Sequence, residues 1–235
     1  MNIIITGASK GLGKSIAEVF AADKQGHSFF ICARNSNELE NTAKELQGRF
    51  PRTSMHAIAC NVADRQSVNG FVNQVLQITD RIDVLVNNAG IFYPGSVYNE
   101  AEGTLEKMIE VNLYGAYHLT RLLLPYMMKV KSGHIFNICS IASLAAYENG
   151  GAYSISKFAL YGFSKNLREE MKPYNIKVTH VLPGAAYTDS WSGSNINPVR
   201  LMEAADVAKM IYAAAHLSPQ ACVEEIIIRP QLGDL

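Results

Sequence analysis

Short apolar segments rich in β-branched and aromatic residues recur along the chain, and segments of this kind predict buried β-strands. Seven strands are predicted, at residues 3–6, 28–32, 54–60, 84–86, 134–139, 177–182 and 225–228. Between them, apolar residues return every three to four positions, which is the spacing of a helix with one buried face. The predicted helices cover residues 14–20, 37–46, 67–77, 105–128, 153–171 and 205–216.

The predicted strands and helices alternate along the whole chain. Two parallel strands need a crossover between them, normally a helix, and the helices then cover both faces of the sheet. The alternation therefore predicts the α/β class, with a doubly wound parallel sheet and helices on both faces. No linker, internal repeat or low-complexity segment divides the sequence, so residues 1–235 are predicted to form a single domain.

Charge and composition exclude several other classes of protein. Twenty-one Lys and Arg residues balance twenty-one Asp and Glu residues, so no positive field favours nucleic acid or a membrane surface as a partner. No apolar run approaches the roughly 20 residues of a membrane span, and no signal-peptide pattern precedes the first strand, so a cytoplasmic protein is predicted. The scattered cysteines and histidines lack the spacing of metal ligands, and no metal site is predicted.

A glycine-rich segment, TGASKGLGKS at residues 6–15, joins the first strand to the first helix. Its backbone N–H groups and the helix dipole suit an anion, and several chemistries fit such a site. A hydrolase nucleophile at Ser9 is disfavoured, because that kind of serine follows earlier strands and only eight residues precede it. GKS at residues 13–15 fits a relaxed phosphate-binding Walker A motif, but Ala8 replaces the first glycine of the strict pattern. A glycine turn without a ligand is also open.

A dinucleotide loop is the remaining interpretation of this segment, since glycines let the backbone approach a pyrophosphate. Its predicted cofactor residues are Gly7, Ser9, Lys10, Gly11, Leu12 and Gly13. In such folds an acidic residue about 20 positions further on holds a ribose 2′-hydroxyl, whereas an arginine accommodates a 2′-phosphate. Arg34 stands there without a carboxylate, so NADP(H) is favoured over NAD(H), with Arg34 and Lys10 holding the extra phosphate.

A tyrosine and a lysine four residues apart, Tyr153 and Lys157, share one face of a predicted helix. The same spacing occurs again at Tyr161 and Lys165, so the pair alone is weak evidence for a site. The two tyrosine–lysine pairs differ in the residue that lies 13 positions before the tyrosine. Ser140 lies 13 residues before Tyr153, whereas the same offset from Tyr161 reaches a glutamate.

Together these segments resemble the classical short-chain dehydrogenase/reductase family over essentially the whole chain. The glycine loop, NNAG at residues 87–90, Asn112, the Ser140 to Tyr153 spacing and PGAAYT at residues 183–188 occur in the family's order. The resemblance implies a Rossmann-type domain with strand order 3-2-1-4-5-6-7, and it argues against a Walker A motif. It also implies a catalytic set, namely Asn112, Ser140, Tyr153 and Lys157.

The resemblance implies a role for each of these four residues. Ser140 polarises a substrate carbonyl, and Tyr153 gives a proton to its oxygen. Lys157 binds the nicotinamide ribose and lowers the pKa of the phenol, which needs a fall of about 3 units, roughly 4 kcal/mol, to approach neutrality. Asn112 holds a water that links the lysine to solvent. Two structural alternatives stay open: Asn112 braces a helix bend, and Ser140 caps the loop after its strand.

Further cofactor contacts are implied at the ends of other strands. Asn61 and Val62 stand where many family members have Asp and Val against the adenine, and an asparagine still offers an acceptor and donors. The remaining implied cofactor contacts are Asn88, Ala89, Gly90, Tyr153, Lys157, Pro183, Gly184, Ala186 and Thr188.

Short segments narrow the resemblance. PGAAYT at residues 183–188 and VEEIIIRP at residues 223–230 are similar to bacterial sepiapterin reductases and related carbonyl reductases. Aromatic walls are predicted for the substrate pocket, which suit a flat heterocycle or an aromatic ketone, with residues 190–198 as a lid. The predicted pocket residues are Tyr93, Leu144, Tyr147, Tyr187 and Trp191.

The sequence thus predicts an NADP(H)-dependent oxidoreductase that reduces a small carbonyl compound. A 3-oxoacyl-[acyl-carrier-protein] reductase is the alternative enzyme, and a cofactor-binding sensor or partner protein with little turnover is the alternative of another class. The resemblance also implies a homodimer or homotetramer assembled through the helices that carry Asn112 and Tyr153. The apolar content of residues 119–128 is consistent with such an interface.

Overall fold

Seven parallel strands form the central sheet in the part of the chain that the computed structural model describes, residues 1–188 and 196–234. The strands of the sheet are β1 (Asn2–Thr6), β2 (Ser28–Ala33), β3 (Ser54–Ala59), β4 (Val84–Asn87), β5 (Gly133–Ile138), β6 (Ile176–Pro183) and β9 (Glu225–Ile228). Their spatial order is β3-β2-β1-β4-β5-β6-β9. The predicted order is confirmed, and the last strand is β9 because two short strands, β7 (Ala186–Tyr187) and β8 (Met202–Glu203), pair apart from the sheet.

Helices cover both faces of the sheet, because successive side chains of a strand point to opposite faces. The helices are α1 (Gly11–Ala21), α2 (Ser36–Arg49), α3 (Arg65–Leu76), α4 (Thr104–Ile109), α5 (Gly115–Val130), α6 (Gly151–Met171) and α7 (Ala204–Ala215). Ile3 and Ile5 of β1 belong to an apolar core with side chains of α1, α2 and α7. Ile4 belongs to a second core, with side chains of α3, α5 and α6. A strand buried on both sides is apolar in its central residues, as Ile3 to Ile5 of β1 are.

The predicted helix over residues 105–128 is interrupted in the structure. α4 passes into a π-helical turn at Glu110–Tyr114 before α5 begins, and this turn contains Asn112. Single π-helical turns inside helices lie frequently at functional sites. The prediction of one continuous helix is wrong here, because the apolar spacing of a helix does not register a single wider turn.

A chain of buried hydrogen bonds ties α6 to the sheet. Asn87 Nδ2 on β4 donates to Asn137 Oδ1 on β5 at 2.8 Å. Asn137 Nδ2 donates to Ser164 Oγ on α6 at 2.8 Å, and Ser164 Oγ lies 2.6 Å from His180 Nδ1 on β6. Because buried polar groups need partners, these hydrogen bonds hold α6 in a fixed position against the sheet. The same helix carries the predicted catalytic tyrosine and lysine.

Within the described residues, no helix is both long enough and apolar enough to cross a membrane. The cytoplasmic location stays a prediction. All four cysteines are free thiols, and Cys32, Cys60 and Cys139 are buried in the apolar cores. Cys222 is half-buried.

Candidate active site

Glycines at two positions determine the conformation of the loop between β1 and α1. Gly7 has a φ of +65°, a conformation that residues with a Cβ rarely adopt. A Cβ on Gly13 would lie 2.4 Å from the Gly7 carbonyl oxygen, so a side chain there would force the loop away from α1. Gly13 therefore lets the loop pack against the helix, while Gly7 and Gly11 border the open side.

The N-terminus of α1 opens onto a groove of about 720 Å³. The N-cap residue Lys10 has an extended backbone, and its side chain makes no capping hydrogen bond. The first-turn N–H groups and the helix dipole therefore suit a phosphate, and the groove fits a dinucleotide such as NADP(H). The predicted cofactor residues that line the groove are Gly7, Ser9, Lys10, Gly11, Leu12, Arg34, Asn61, Val62, Asn88, Ala89, Gly90 and Thr188.

One end of the groove carries both a positive and a negative side chain. Arg34 follows β2 and is exposed, as a group that binds a phosphate from solvent must be. Asn35 and Glu38 border the same groove, although the sequence did not single them out. Asn35 caps α2 by accepting the Glu38 N–H at 3.2 Å, which holds this carboxylate in the first turn of the helix.

Asn88 fastens the glycine loop to β4. Its Nδ2 donates to the carbonyl oxygens of Thr6 at 2.8 Å and Gly7 at 3.1 Å. The backbone N–H groups of Asn88 and Ala89 donate to Thr6 Oγ1 at 3.0 and 2.9 Å. These four hydrogen bonds fix the end of β4 against the loop and bring Ala89 and Gly90 to the groove.

Ser140 and Tyr153 meet at the carboxyl end of β5. Ser140 is buried, and its hydroxyl accepts the Ala142 N–H at 3.1 Å, which caps a short 3-10 helix at Ile141–Ser143. The Tyr153 phenol lies near enough to this serine for Ser140 to lower the phenol's pKa. The capping role left open by the sequence is therefore present, and it fixes the serine hydroxyl beside the tyrosine.

Lys157 lies one helical turn after Tyr153 and is buried. Its Nζ donates to the Ile138 carbonyl of β5 at 2.8 Å and lies 5.8 Å from the centre of the Tyr153 ring. Burial lowers the pKa of the ammonium to about 8, against an opposing contribution from the Cys139 thiol. The lysine is therefore mostly charged at neutral pH and loses its charge in mildly alkaline solution.

The predicted fall in the pKa of Tyr153 is not found in this structure. Burial raises the pKa of the phenol, and the interaction with Ser140 opposes that increase only in part. Lys157 does not reverse the effect, because its Nζ donates to the Ile138 carbonyl and reaches the tyrosine only across the ring face. Tyr153 is consequently a neutral phenol at neutral pH, which is the form that can give up a proton.

Asn112 connects the segment after β4 to α6. Its Oδ1 accepts the Ile91 N–H at 2.8 Å, and its Nδ2 donates to the Ile91 carbonyl at 3.0 Å and to Ser156 Oγ at 2.9 Å. Both amide hydrogens have protein partners, so Asn112 links its π-helical turn to the Ile91 segment and to α6. A Cβ on Gly90 would lie 3.3 Å from Asn112 Oδ1 and 3.6 Å from Lys157 Nζ, so both polar groups approach the groove at Gly90.

Aromatic side chains adjoin the Tyr153 phenol. Phe92 packs against the Tyr153 ring, with centroids 4.9 Å apart and planes at 78°. Tyr147 is close enough that burial and the neighbouring Tyr153 raise its own pKa to about 12. Tyr147 also lines a cavity of about 560 Å³ beside α6, together with Val97 and Phe158.

The other predicted pocket residues divide into two groups. Tyr93, Leu144 and Tyr187 are exposed side chains. Trp191 lies outside the described residues, as do residues 190–195 of the predicted lid. Phe92 and Tyr147 are exposed to a similar degree and adjoin Tyr153, and Tyr93, Leu144 and Tyr187 stay predictions for the pocket wall.

The segment after β6 only partly borders the groove. Pro183 ends β6, and the Gly184 N–H donates to the Ile228 carbonyl of β9 at 2.8 Å. Ala186 lies in β7 and pairs with Met202 of β8. Thr188 is the residue of this predicted set that lines the groove in the described part of the chain.

Several groups at the site were not predicted. The Ile138 carbonyl that binds Lys157 is a backbone atom, and the sequence carries no signal for it. Ile91 and Val111 also line the groove, and they are the immediate neighbours of Gly90 and Asn112. Phe92 was predictable as a pocket residue, because it lies two residues after the NNAG segment and next to the predicted pocket residue Tyr93.

A parallel α/β sheet with a glycine loop at its first helix, and with a serine, a tyrosine and a lysine clustered after β5, defines a nucleotide-dependent oxidoreductase. The sequence profile described as short chain dehydrogenase matches residues 1–198. The chain therefore belongs to the short-chain dehydrogenase family of oxidoreductases.

Individual relatives agree with this assignment and with the predicted resemblance. The sepiapterin reductase of Chlorobaculum tepidum is 32% identical over 239 residues, which cover 99% of this chain and 97% of that protein. Dehydrogenase/reductase SDR family member 7B of Xenopus tropicalis is 37% identical over 191 residues, which cover 80% of this chain but only 61% of that protein. The solved alcohol dehydrogenase of Thermococcus sibiricus, complexed with 5-hydroxy-NADP, is 27% identical, with a TM-score of 0.90 over 98% of this chain and 96% of that one.

Proposed function

We propose that this chain is an NADP(H)-dependent reductase of small carbonyl compounds. The observation that carries the proposal is the cluster of Ser140, Tyr153 and Lys157 beside a groove that a helix N-terminus and Arg34 border. The 5-hydroxy-NADP in the Thermococcus relative supports the choice of cofactor. The similarity to a sepiapterin reductase over nearly the whole of both chains supports a carbonyl substrate.

Two side chains of this protein act on the substrate oxygen in the proposed reaction, and a third acts on the tyrosine. The cofactor, when bound, supplies a hydride to the carbonyl carbon. Ser140 donates a hydrogen bond to the oxygen on which negative charge develops, and Tyr153 transfers its proton to that oxygen. Burial favours the neutral phenol that this transfer requires. Lys157 stabilises the phenolate that remains, because its ammonium lies over the tyrosine ring.

The other polar groups of the groove hold the cofactor in this proposal. The first turn of α1 binds the pyrophosphate, and Arg34 with Lys10 binds the 2′-phosphate. Asn61 and Val62 contact the adenine, and Thr188 contacts the nicotinamide end. Asn112 links Lys157 to solvent for return of the proton, with Oδ1 accepting from a bridging water as well as from Ile91.

The substrate we propose is a compact carbonyl compound with a flat ring. Phe92 and Tyr147 adjoin Tyr153, and two aromatic walls favour a planar partner over a flexible acyl chain. The test is the loss of reduced-nicotinamide absorbance with a panel that includes sepiapterin, an aromatic diketone and an acetoacetyl thioester. Turnover of the ring compounds supports the proposal. Turnover of the thioester alone would assign the acyl-carrier alternative, and tight NADPH binding without turnover would assign the sensor alternative.

Arg34 sets the cofactor preference in this proposal. We expect Arg34→Ala to raise KM for NADPH about 10- to 100-fold, because a charge-assisted hydrogen bond contributes about 1.5–3 kcal/mol. KM for NADH should change less than about threefold, since NADH lacks the 2′-phosphate on which the guanidinium acts. Arg52→Ala is the matched control, because Arg52 is also exposed but lies before β3, away from the groove. Equal effects on the two cofactors would refute this role.

We also propose that copies of this chain assemble through the side of α5 and α6. Tyr114, at the start of this region, and Ile155 and Phe158 of α6 are large apolar side chains that are nearly half exposed. Exposed large apolar side chains on neighbouring helices are typical of an interface between subunits. Sedimentation velocity should give a dimer or tetramer, and Phe158→Glu should shift it towards the mass of one chain. A wild-type protein that sediments as a monomer would contradict the proposal.

A further inference from the structure

The segment between β4 and α4 contacts the N-terminus of the catalytic helix α6 through three hydrogen bonds. Gly95 N–H donates to the Asn149 carbonyl at 3.1 Å, and Ser96 Oγ donates to Asn149 Oδ1 at 3.0 Å. Glu100 Oε2 accepts the backbone N–H of Ala152, in the first turn of α6, at 3.1 Å. A segment about 50 residues earlier in the chain thus holds the helix that carries Tyr153 and Lys157.

α6 obtains its N-terminal cap from Glu100 and not from its own flanking residue. The N-cap position is Gly150, which has no side chain to bind the first-turn N–H groups. A carboxylate there accepts an N–H that has no partner within the helix and interacts favourably with the positive end of the helix dipole. Glu100 supplies both effects from a half-buried position.

The absence of a side chain at Gly151 allows this contact. A Cβ at that position would lie 2.7 Å from Glu100 Oε2 and 2.5 Å from the Gly95 carbonyl oxygen. A methyl group would therefore separate the helix from the segment. The two glycines and Glu100 therefore pack closely together. None of the three belongs to the predicted catalytic set.

The contact lies next to the reacting groups. Ala152, which bonds to Glu100, directly precedes Tyr153. Phe92, from the same segment as Glu100, packs its ring against the Tyr153 ring. A shift of the first turn of α6 would therefore move the phenol relative to Ser140 and to the aromatic wall together.

We propose that Glu100 is a positioning residue, whose carboxylate holds the first turn of α6 and the Phe92 segment together and so sets the place of the Tyr153 phenol beside Ser140. This proposal rests on the proposed function in one respect, the assignment of Tyr153 as the proton donor. Small displacements of a catalytic group reduce the rate strongly, because proton transfer depends on distance and alignment.

Kinetics of three variants test the role of Glu100. We expect Glu100→Ala to lower kcat about 10-fold or more while KM for NADPH stays within about twofold, because neither Glu100 nor Asn149 lines the cofactor groove. Glu100→Gln should recover most of kcat, since its amide oxygen still accepts the Ala152 N–H and only the charge on the helix dipole is lost. Glu102→Ala is the matched control, an exposed glutamate of the same segment, and should behave as wild type. Wild-type kcat in Glu100→Ala would overturn the proposal.

Amide hydrogen exchange provides a readout that does not depend on turnover. We expect Glu100→Ala and Gly151→Ala each to accelerate exchange in peptides that cover residues 92–100 and 147–156, whereas Glu102→Ala leaves both unchanged. Unchanged exchange in both variants would overturn the proposal even if catalysis is lost. If wild-type protein reduces no carbonyl compound but the exchange results hold, the proposed function fails while the contact made by Glu100 stands.

Discussion

Tyr153→Phe is expected to lower kcat for carbonyl reduction about 1,000-fold, because the variant keeps the ring but has no proton to give. The ring of Tyr153 packs against Phe92 and beneath the Lys157 ammonium, and phenylalanine preserves both contacts. The dissociation constant for NADPH should therefore stay within about threefold of wild type. Stopped-flow turnover and NADPH fluorescence titration measure the two quantities.

The second tyrosine–lysine pair provides the control for this experiment. Tyr161 has the same spacing to Lys165, whose Nζ lies 3.2 Å from the Tyr161 hydroxyl. That hydroxyl binds Glu225 of β9 and does not reach Ser140. We expect Tyr161→Phe to retain wild-type kcat. A Tyr153→Phe variant that turns over at the wild-type rate would remove the tyrosine from the reaction and favour a cofactor-binding sensor.

The second large effect is a loss of reductase activity in mildly alkaline solution. Burial lowers the pKa of Lys157 to about 8, so the ammonium is present below that pH and absent above it. Tyr153 has a pKa raised by burial and stays protonated over the same interval. We therefore expect kcat/KM to be flat near neutrality and to fall by up to about tenfold per pH unit above about pH 8. A pH profile from about 6 to 10 measures this.

Lys157→Met shows whether the lysine or the tyrosine causes the decline of kcat/KM with pH. The variant removes the charge but retains an apolar chain of similar length in a buried position. We expect a rate about 100-fold lower than wild type and no decline near pH 8. Lys165→Met should keep both the rate and the decline, because Lys165 is on the exposed pair. A decline that persists in Lys157→Met, or one that begins only above about pH 10, would assign the titration to another group such as the phenol.

The strands of the sheet could be predicted from the sequence because a strand that is buried on both faces consists mainly of apolar residues. β1 is apolar at every position from Ile3 to Ile5, and the residues alternate between two cores on opposite sides of one sheet. Alternation of such strands with helices indicates a parallel sheet with helices on both faces. The order of the strands came from the family resemblance, and it agrees with the structure.

The candidate site was predictable where its chemistry needs particular residue types at fixed spacing. The four-residue interval from Tyr153 to Lys157 places both on one side of α6, and a Cβ at Gly7 or Gly13 would lie under 3.0 Å from backbone atoms. The pKa of Tyr153 was not predictable in this way. The direction of its shift depends on how deeply the phenol lies and on which acceptor the Lys157 ammonium binds.

By itself, the sequence of this chain determined the α/β class and the glycine loop at the first helix, and its resemblance to a family indicated the serine, tyrosine and lysine. The class and the loop depend on local spacing and on burial, and both are recorded in the order of residue types. Only the tertiary structure decided that Lys157 binds the Ile138 carbonyl, that Asn112 lies in a π-helical turn and that Glu100 caps α6. Each of these contacts joins residues distant in sequence or involves a backbone atom, so it exists only once the elements have packed.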